Sequence, residues 1–183
     1  VMMIDMTSQM NSVVVDPESK TITVGGGAKI GAVDAACKPH NFILPLGRVG
    51  STGCAGQMLY TGAHGYCERA LGLGVDYMTS ATVVLTTGVL HCSETENSDL
   101  FWGIRGGQSN FGVVSEMVFR AQEAPNKGQF MASQKVYLPV GMLGFASRQS
   151  VMDYIVQKMD TASPEEYNIS ATFIGAFLLM FLQ

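Results

Sequence analysis

The sequence predicts a mixed α+β fold, and three observations support this prediction. Short apolar runs bounded by turn residues predict strands, which are placed at 13–17, 21–24, 81–85, 89–91 and 114–119. Two of these runs form an expected hairpin with a tight turn at Thr87–Gly88. Apolar residues at three- and four-residue spacing predict an amphipathic helix from Ala28 to Lys38. No internal repeat is evident, so these elements indicate a mixed layout.

The predicted helix has clear boundary signals. A glycine run at 25–27 stops the strand before it, and Pro39 ends the helical pattern. Ile30, Val33 and Cys37 share one helical face. That face is expected to pack on the core.

A second helix is predicted after the hairpin. The residues at 97–99 have helix N-cap chemistry, and Phe101 and Trp102 just after them are expected to be core anchors. A glycine loop is expected from Arg105 to Gly112, ahead of the strand at 114–119. A short helical turn is also predicted earlier in the chain, from Tyr66 to Leu71.

The part of the chain after residue 121 is predicted to begin a second domain. Proline and glycine mark a linker at 122–129, followed by a strand at 130–138 and a helix at 143–159. The apolar run at 169–182 is expected to be a buried strand without its sheet partners. Because unpaired apolar strands aggregate, the chain is expected to have poor stability.

Composition limits the classes of protein to which the chain can belong. It has 183 residues, 47% hydrophobic and 14% charged, which suits a folded core and not a disordered chain. The formal net charge is −4 without a lysine or arginine cluster, so no nucleic-acid partner is expected. No metal site is predicted, because the cysteines lack close pairs. Buried free thiols are favoured over a disulfide or ligand set for Cys37, Cys54, Cys67 and Cys92.

Both ends of the chain are expected to be breaks in a longer protein. Val1 to Asp5 indicates a strand with no signal peptide ahead of it. The apolar run at 169–182 is shorter than the roughly 20 residues that cross a bilayer, so no membrane partner is expected. The sequence does not indicate the cellular compartment or the oligomeric state.

The most informative stretch runs from residue 47 to residue 65, where six glycines replace any regular pattern. A dinucleotide presents two phosphates, and glycines let backbone N–H groups reach their oxygens while Ser and Thr hydroxyls add donors. The parts that can do so are Ser51, Thr52, Gly53, Gly56 and the turn from Thr61 to Gly65. A glycine-rich surface loop without a ligand is an equally good interpretation of the spacing alone.

Two familiar phosphate motifs are not found. The sequence has no GxxxxGK[ST], which excludes a P-loop. The glycines at 25–27 together with Gly31 follow a strand and open a helix, but they do not give GxGxxG in register. A nicotinamide dinucleotide site is therefore weakly supported.

Several motifs occur in order along residues 1–121. They are Val24-Gly25-Gly26-Gly27-Ala28, Leu44-Pro45-Leu46-Gly47, the 51–65 loop, Gly72-Leu73-Gly74-Val75-Asp76, Asp99-Leu100-Phe101-Trp102, Arg105-Gly106-Gly107 and Asn110-Phe111-Gly112-Val113-Val114. This series resembles the FAD-linked oxidases of the berberine-bridge-enzyme-like type, within the vanillyl-alcohol-oxidase/PCMH flavoprotein superfamily. The DLFW…RGG…NFGVV run is its most specific part.

The resemblance implies a PCMH-type FAD-binding domain at 1–121, incomplete at its N-terminus, and the start of an antiparallel-sheet substrate domain at 130–183. The implied cofactor is FAD. The segment at 51–66 is expected to wrap the pyrophosphate and nearby parts of the flavin, and the strand edge at 112–114 to lie along the adenosine. The implied FAD-binding residues are Ser51, Thr52, Gly53, Gly56, Gly62, His64, Gly65, Tyr66, Gly112 and Val114.

The chain departs from the family pattern at several positions. The upstream GGGHS-like stretch, whose His bonds covalently to the flavin in this family, is absent. Some members add a cysteine link near the position of Gly50, so Cys54 is a poor candidate for it. Tyr60 and Ala63 stand where glycine is expected.

The resemblance implies an oxidase that oxidises a small organic substrate, such as an alcohol, sugar or amine, with hydride transfer to the flavin. The alternative is a non-catalytic truncated or degenerate fragment of such a flavoprotein. No catalytic residue can be named. His64 is expected to touch phosphate or flavin or else to face solvent, and Arg105 to meet a carboxylate or phosphate or else to form a surface ion pair. The resemblance is compatible with an extracellular location of the protein.

Overall fold

The structure is a computed structural model that describes residues 3–125, 133–137, 153–154, 156–157, 160–161, 169–174 and 177–182. The chain folds into two compact units, Val1–Gly128 and Gln129–Gln183. Each unit contains an antiparallel sheet, and the first unit also contains the helices described below. The α+β fold class predicted from the sequence is confirmed.

The first unit contains seven strands and four α-helices in its described part. The strands are β1 (Val13–Asp16), β2 (Thr21–Gly25), β3 (Phe42–Ile43), β4 (Met78–Leu85), β5 (Gly88–Ser93), β6 (Val113–Arg120) and β7 (Gln122–Glu123). The helices are α1 (Ile30–Cys37), α2 (Cys54–Thr61), α3 (Glu68–Leu71) and α4 (Ser98–Gly107). Short 3₁₀ turns occur at Lys38–His40, Gly74–Tyr77 and Gln108–Asn110.

Five of these strands form one antiparallel sheet in the order β1-β2-β6-β4-β5. The pairing of β2 with β6 joins residues about a hundred positions apart, Thr21 with Arg120 and Gly25 with Glu116. The hairpin of β4 and β5 is confirmed, with Leu85 opposite Gly88, so the turn lies one residue earlier than predicted. Non-local pairing in the centre of the sheet therefore holds the two halves of the unit together.

The helix predicted at 28–38 is confirmed as α1. Ile30, Val33 and Cys37 are all buried, as the spacing predicts. A 3₁₀ turn that contains Pro39 follows directly, because proline cannot continue the helical hydrogen bonds. The helix start predicted at 97–99 is confirmed as the start of α4, but the expected side-chain cap hydrogen bond is not formed. Asn97 holds the cap position but its side chain donates to the carbonyl of His91 instead, at 2.6 Å.

The prediction that both Phe101 and Trp102 anchor the core is half wrong. Phe101 is 2% exposed and Trp102 is 79% exposed. Successive residues of an α-helix lie about 100° apart, so only one of two neighbours can point directly at the core. Ile104, three residues after Phe101, completes the buried face of α4.

We expect truncation of these two aromatic residues to have opposite outcomes. Phe101→Ala should lower the free energy of unfolding by about 3–5 kcal/mol, because it leaves a cavity in the core. Trp102→Ala should change it by less than about 0.5 kcal/mol, as for other exposed positions. Urea denaturation followed by circular dichroism measures both. A large loss for Trp102→Ala would contradict the exposed position.

Three other expectations are revised by the described residues. Residues 3–5 form no strand. The segment at 122–124, predicted to begin the linker, is bound to the first unit: β7 pairs with β3, and the N–H of Ala124 donates to the carbonyl of Asn41 at 2.8 Å. Of the helix predicted at 143–159, residues 153–154 and 156–157 are helical, and 143–152, 155 and 158–159 lie outside the described residues.

The second unit contains β8 (Ser133–Tyr137), β9 (Ile169–Ile174) and β10 (Phe177–Leu182). The apolar run at 169–182 is thus two strands and not one. The central strand is β10, which pairs antiparallel with β8 on one edge and with β9 on the other. The expectation that this run lacks sheet partners is therefore wrong. Among the described residues, no helix has the length and apolarity needed to cross a bilayer.

Candidate functional site

The glycine-rich stretch at 47–65 is not one continuous loop. Its middle forms the helix α2, whose buried residues Ala55, Met58 and Leu59 recur at helical spacing. Gly62 ends the helix in the left-handed conformation at φ 77°, which favours glycine. Of the predicted site residues in and around this stretch, Ser51, Thr52 and Gly53 precede the helix and Gly56 lies in its first turn, whereas the group behind α2 comprises Gly62, His64, Gly65 and Tyr66.

The segment ahead of α2 is fixed by backbone hydrogen bonds to the start of α1. Ile30 N–H donates to the carbonyl of Thr52 at 3.0 Å, and Gly31 N–H donates to that of Gly50 at 2.9 Å. In return, Cys54 N–H donates to the carbonyl of Ala28 at 2.8 Å. The first N–H groups of α1 are therefore occupied, and α1 offers no open helix N-terminus.

The N-terminus of α2 is open. Within the described residues, the N–H groups of Gly53, Ala55 and Gly56 donate no hydrogen bond. A Cβ on Gly53 would meet nothing within 4 Å, and one on Gly56 would meet only the amide of Gln108, at 3.8 Å. Ser51 is exposed and Thr52 half-buried beside this opening. We call these five residues, 51–53, 55 and 56, the α2 cradle.

The α2 cradle fits a diphosphate. Unpaired N–H groups at a helix N-terminus and the positive end of the helix dipole attract anions. The missing side chains at Gly53 and Gly56 let phosphate oxygens come close to the backbone. The structure thus brings together the first four of the residues predicted from the sequence.

The residues behind α2 lie at the opposite end of the helix from the α2 cradle. Eight helical residues place them about 12 Å away, at the carbonyl end of the helix, which repels anions. His64 is exposed and its Nδ1 lies 3.5 Å from Glu68 Oε2. Gly65 is buried, and a Cβ there would overlap the carbonyl oxygen of Leu46. This placement separates the 61–65 turn from the α2 cradle, and a contact of these residues with FAD stays a prediction.

Tyr66 and the two residues that replace glycine in the family pattern do not obstruct the α2 cradle. The Tyr66 ring lies under the guanidinium of Arg48, at 5.1 Å. Tyr60 is exposed on α2. Ala63 is fully buried, with its Cβ directed against Gly74 and away from solvent.

Gly112 directly precedes β6, and Val114 is its second residue. The predicted strand edge is not an edge of the sheet, because β6 lies between β2 and β4. Its ladder with β2 nevertheless stops at Glu116, while its ladder with β4 continues to Val113. Gly112 has φ 145°, and a Cβ there would lie 2.8 Å from the carbonyl oxygen of Val84. The close approach at Gly112 is thus to β4, and a contact with adenosine stays a prediction.

Sequence reasoning missed two glutamines near the site. Gln57 Oε1 accepts a hydrogen bond from the N–H of Gly47 at 2.9 Å, which ties the preceding loop to α2. Gln108 brings its amide next to Gly56. Neither contact has a local sequence signal, because each depends on how two segments meet in space.

Arg105, for which a phosphate or an ion pair was expected, forms an ion pair. Its guanidinium lies 3.2 Å from the carboxylate of Asp76 and 5.3 Å above the Phe101 ring. The 3₁₀ turn that contains Asp76 is joined to the end of α2, since Val75 N–H donates to the carbonyl of Gly62 at 3.1 Å. The pair therefore connects α4 to the segment that follows α2.

The four cysteines are free thiols, and three of them are buried as predicted. Burial, with a smaller effect of the Asp34 carboxylate, raises the pKa of Cys37 and the pKa of Cys54 from 9.0 to about 12. The pKa of Cys67, which is half-buried, is also raised by burial. A raised folded-state pKa means that the unfolded state loses its proton first. The contribution of the Cys37 and Cys54 thiols to stability is therefore complete below about pH 9 and is lost as the pH rises towards 12.

These environments predict the order of alkylation. With iodoacetamide at pH 8, Cys67 should react first, and Cys37, Cys54 and Cys92 only when the protein unfolds, because a buried thiol has neither access nor thiolate character. Mass spectrometry of peptides from native and urea-denatured samples measures this order. Equal native rates for Cys54 and Cys67 would contradict it.

Comparison with known proteins identifies the family. The FAD binding domain family matches residues 1–93. An FAD-linked oxidoreductase of Emericella nidulans is 35% identical over 152 residues, which cover 81% of this chain and 31% of the relative. A chitooligosaccharide oxidase of Gibberella zeae is 36% identical over 161 residues, which cover 85% of this chain and 32% of the relative.

A solved structure gives the same result. The xylooligosaccharide oxidase from Myceliophthora thermophila, in complex with xylobiose, is 29% identical with a TM-score of 0.76, and the match covers 96% of this chain and 37% of the other. The chain spans about a third of the length of the relatives it matches. It belongs to the FAD binding domain family, and these matches confirm both the resemblance to PCMH-type FAD oxidases and FAD as the cofactor.

Proposed function

We propose that this chain supplies the diphosphate-binding part of an FAD-dependent oxidase that acts on a small sugar-like substrate. The observation that carries the proposal is the α2 cradle, with three unpaired N–H groups and no side chain on Gly53 or Gly56. The sugar class comes from the relatives, which include a chitooligosaccharide oxidase and an oxidase in complex with xylobiose. FAD, when bound, supplies the redox chemistry by taking electrons from the substrate.

The residues of this chain bind and orient the cofactor. In this proposal, Gly53, Ala55 and Gly56 donate backbone N–H groups to the phosphates, and the hydroxyls of Ser51 and Thr52 add donors. The group behind α2 borders a part of FAD away from the diphosphate. Gly112 and Val114 border the adenosine end. We assign no catalytic residue.

Flavin content tests the proposal. The purified chain should be yellow, with flavin absorption bands, and acid precipitation should release the colour into solution if the link is non-covalent. A colourless chain that does not bind added FAD would contradict the proposal and favour the alternative of a non-catalytic fragment.

The substrate class is tested on the longer protein that contains this chain. Xylobiose and chitooligosaccharides should cause peroxide release, and no response to either would remove the sugar assignment.

A further inference from the structure

We propose that the side-chain amide of Gln108 donates a hydrogen bond to the diphosphate of FAD in the α2 cradle, a role that rests on the proposed function. The chain reaches this position through a kink at the end of α4. Arg105 and Gly106 have non-helical backbone angles, and the 3₁₀ turn at Gln108–Asn110 follows. Gln108 is thereby carried over the first turn of α2.

The position of Gln108 matches that of a ligand-binding side chain. Its Nε2 atom lies 3.8 Å from where a Cβ on Gly56 would be, beside the backbone whose N–H groups are unpaired. The residue is half-buried, and its side-chain amide makes no hydrogen bond with the described residues. A carboxamide N–H can donate to a phosphate oxygen, and it adds no negative charge to an anion site.

The backbone at Gln108 is strained. It has φ 50° and ψ −127°, a combination that glycine adopts easily and other residues rarely do. Asn41 and Asn97 also have positive φ, but with ψ of 35° and 46° they lie in the ordinary left-handed region. Strain of this kind concentrates at functional sites and persists only where surrounding contacts impose it.

The contacts that impose this conformation are present. The Phe111 ring packs against the backbone of α4 so closely that a Cβ on Gly103 would lie 2.9 Å from it. The side chain of Asn110 donates to the carbonyl of Gly107 at 2.8 Å. The Arg105–Asp76 ion pair holds the first residue of the kink. These contacts fix Gln108 in a conformation that its own backbone disfavours.

For Gln108→Gly, relief of the backbone strain and loss of the hydrogen-bond donor have opposite expected effects on stability and on FAD affinity. Gln108→Gly relieves the strain and should raise the melting temperature of the flavin-free chain by a few °C. It also removes the donor, so the affinity for FAD should fall about 10-fold or more. Gln108→Glu keeps the size and the strain but places a negative charge beside the phosphates, and it should weaken binding further. A purely structural role would instead lower the melting temperature without an independent loss of affinity.

The experiment is calorimetric titration of the flavin-free chain with FAD, ADP and riboflavin, combined with thermal melting. Asn41→Gly serves as the control, because it also replaces a residue of positive φ but lies outside the assigned site; the affinity of this variant for FAD should stay within about 2-fold of that of the unaltered chain.

The proposal is supported if both Gln108 variants bind FAD and ADP more weakly than the unaltered chain does. If the unaltered chain binds FAD and the Gln108 variants bind it equally well, the Gln108 role is wrong and the proposed function stands. If the variants weaken riboflavin but not ADP, the diphosphate assignment is overturned. If the unaltered chain binds none of the three, both proposals fail together.

Discussion

Replacing Gly53 by valine is expected to abolish FAD retention without disturbing the fold. Gly53 has φ −66° and ψ 126°, which valine adopts readily, and a Cβ there meets no protein atom within 4 Å. The added methyl groups would instead occupy the space in front of the unpaired N–H groups of α2. Loss of two charge-assisted hydrogen bonds corresponds to an affinity roughly 100-fold lower or worse. Calorimetric titration with FAD measures the affinity, and circular dichroism and thermal melting measure the fold.

The choice of control decides what this result means. Ala35→Val adds similar bulk on the exposed face of α1 and should leave FAD affinity within about 2-fold. Gly62→Val is not a suitable test of binding. Gly62 has φ 77°, and its Cβ would lie 3.1 Å from Leu73, so valine there should destabilise the protein with or without flavin. Unchanged FAD binding by a folded Gly53→Val protein would remove the α2 cradle from the site.

Local patterns were sufficient to predict α1 and the β4–β5 hairpin. Ile30, Val33 and Cys37 bury one helical face, and the hairpin brings together residues that are close in the sequence. The pairing of β2 with β6 could not be predicted in this way, because it depends on about a hundred intervening residues. Sheet order is a property of the whole chain, and no short pattern contains it.

The helix α2 was missed although its apolar spacing was present. Gly53, Gly56 and Gly62 made the segment look like a loop, since glycine disfavours helices by about 1 kcal/mol relative to alanine. Burial of Met58 and Leu59 against the rest of the unit outweighs that preference. Here the glycines have separate roles. Gly53 and Gly56 leave the N-terminal end open, and Gly62 ends the helix.

The sequence therefore predicted most of the residues that form the candidate site, but only part of their arrangement in space. Ser51, Thr52, Gly53 and Gly56 lie together as expected, because they are adjacent in the chain. The separation of Gly62 and Gly65 from them follows from the length of α2, which the sequence interpretation did not include. Gln108 joins the site only through the kink in α4.

The second large effect is expected at Gly65, where alanine should destabilise the fold. A Cβ on this residue would overlap the carbonyl oxygen of Leu46 and lie 3.2 Å from the Cα of Gly47. Both neighbours are backbone, so no side-chain rotation can relieve the overlap. Overpacking of this severity costs about 3 kcal/mol, which corresponds to a melting temperature roughly 10 °C lower for a chain of this size.

Gly53→Ala is the matched control for this prediction, since it makes the same chemical change where a Cβ meets nothing within 4 Å. Its melting temperature should stay within about 2 °C of the unaltered chain. Because the overlap at Gly65 lies within the protein, Gly65→Ala should lower the melting temperature by the same amount in the flavin-free chain as in the presence of FAD. A Gly65→Ala chain that melts normally but loses FAD would instead mean that the Leu46 carbonyl yields and that glycine is required there by the cofactor.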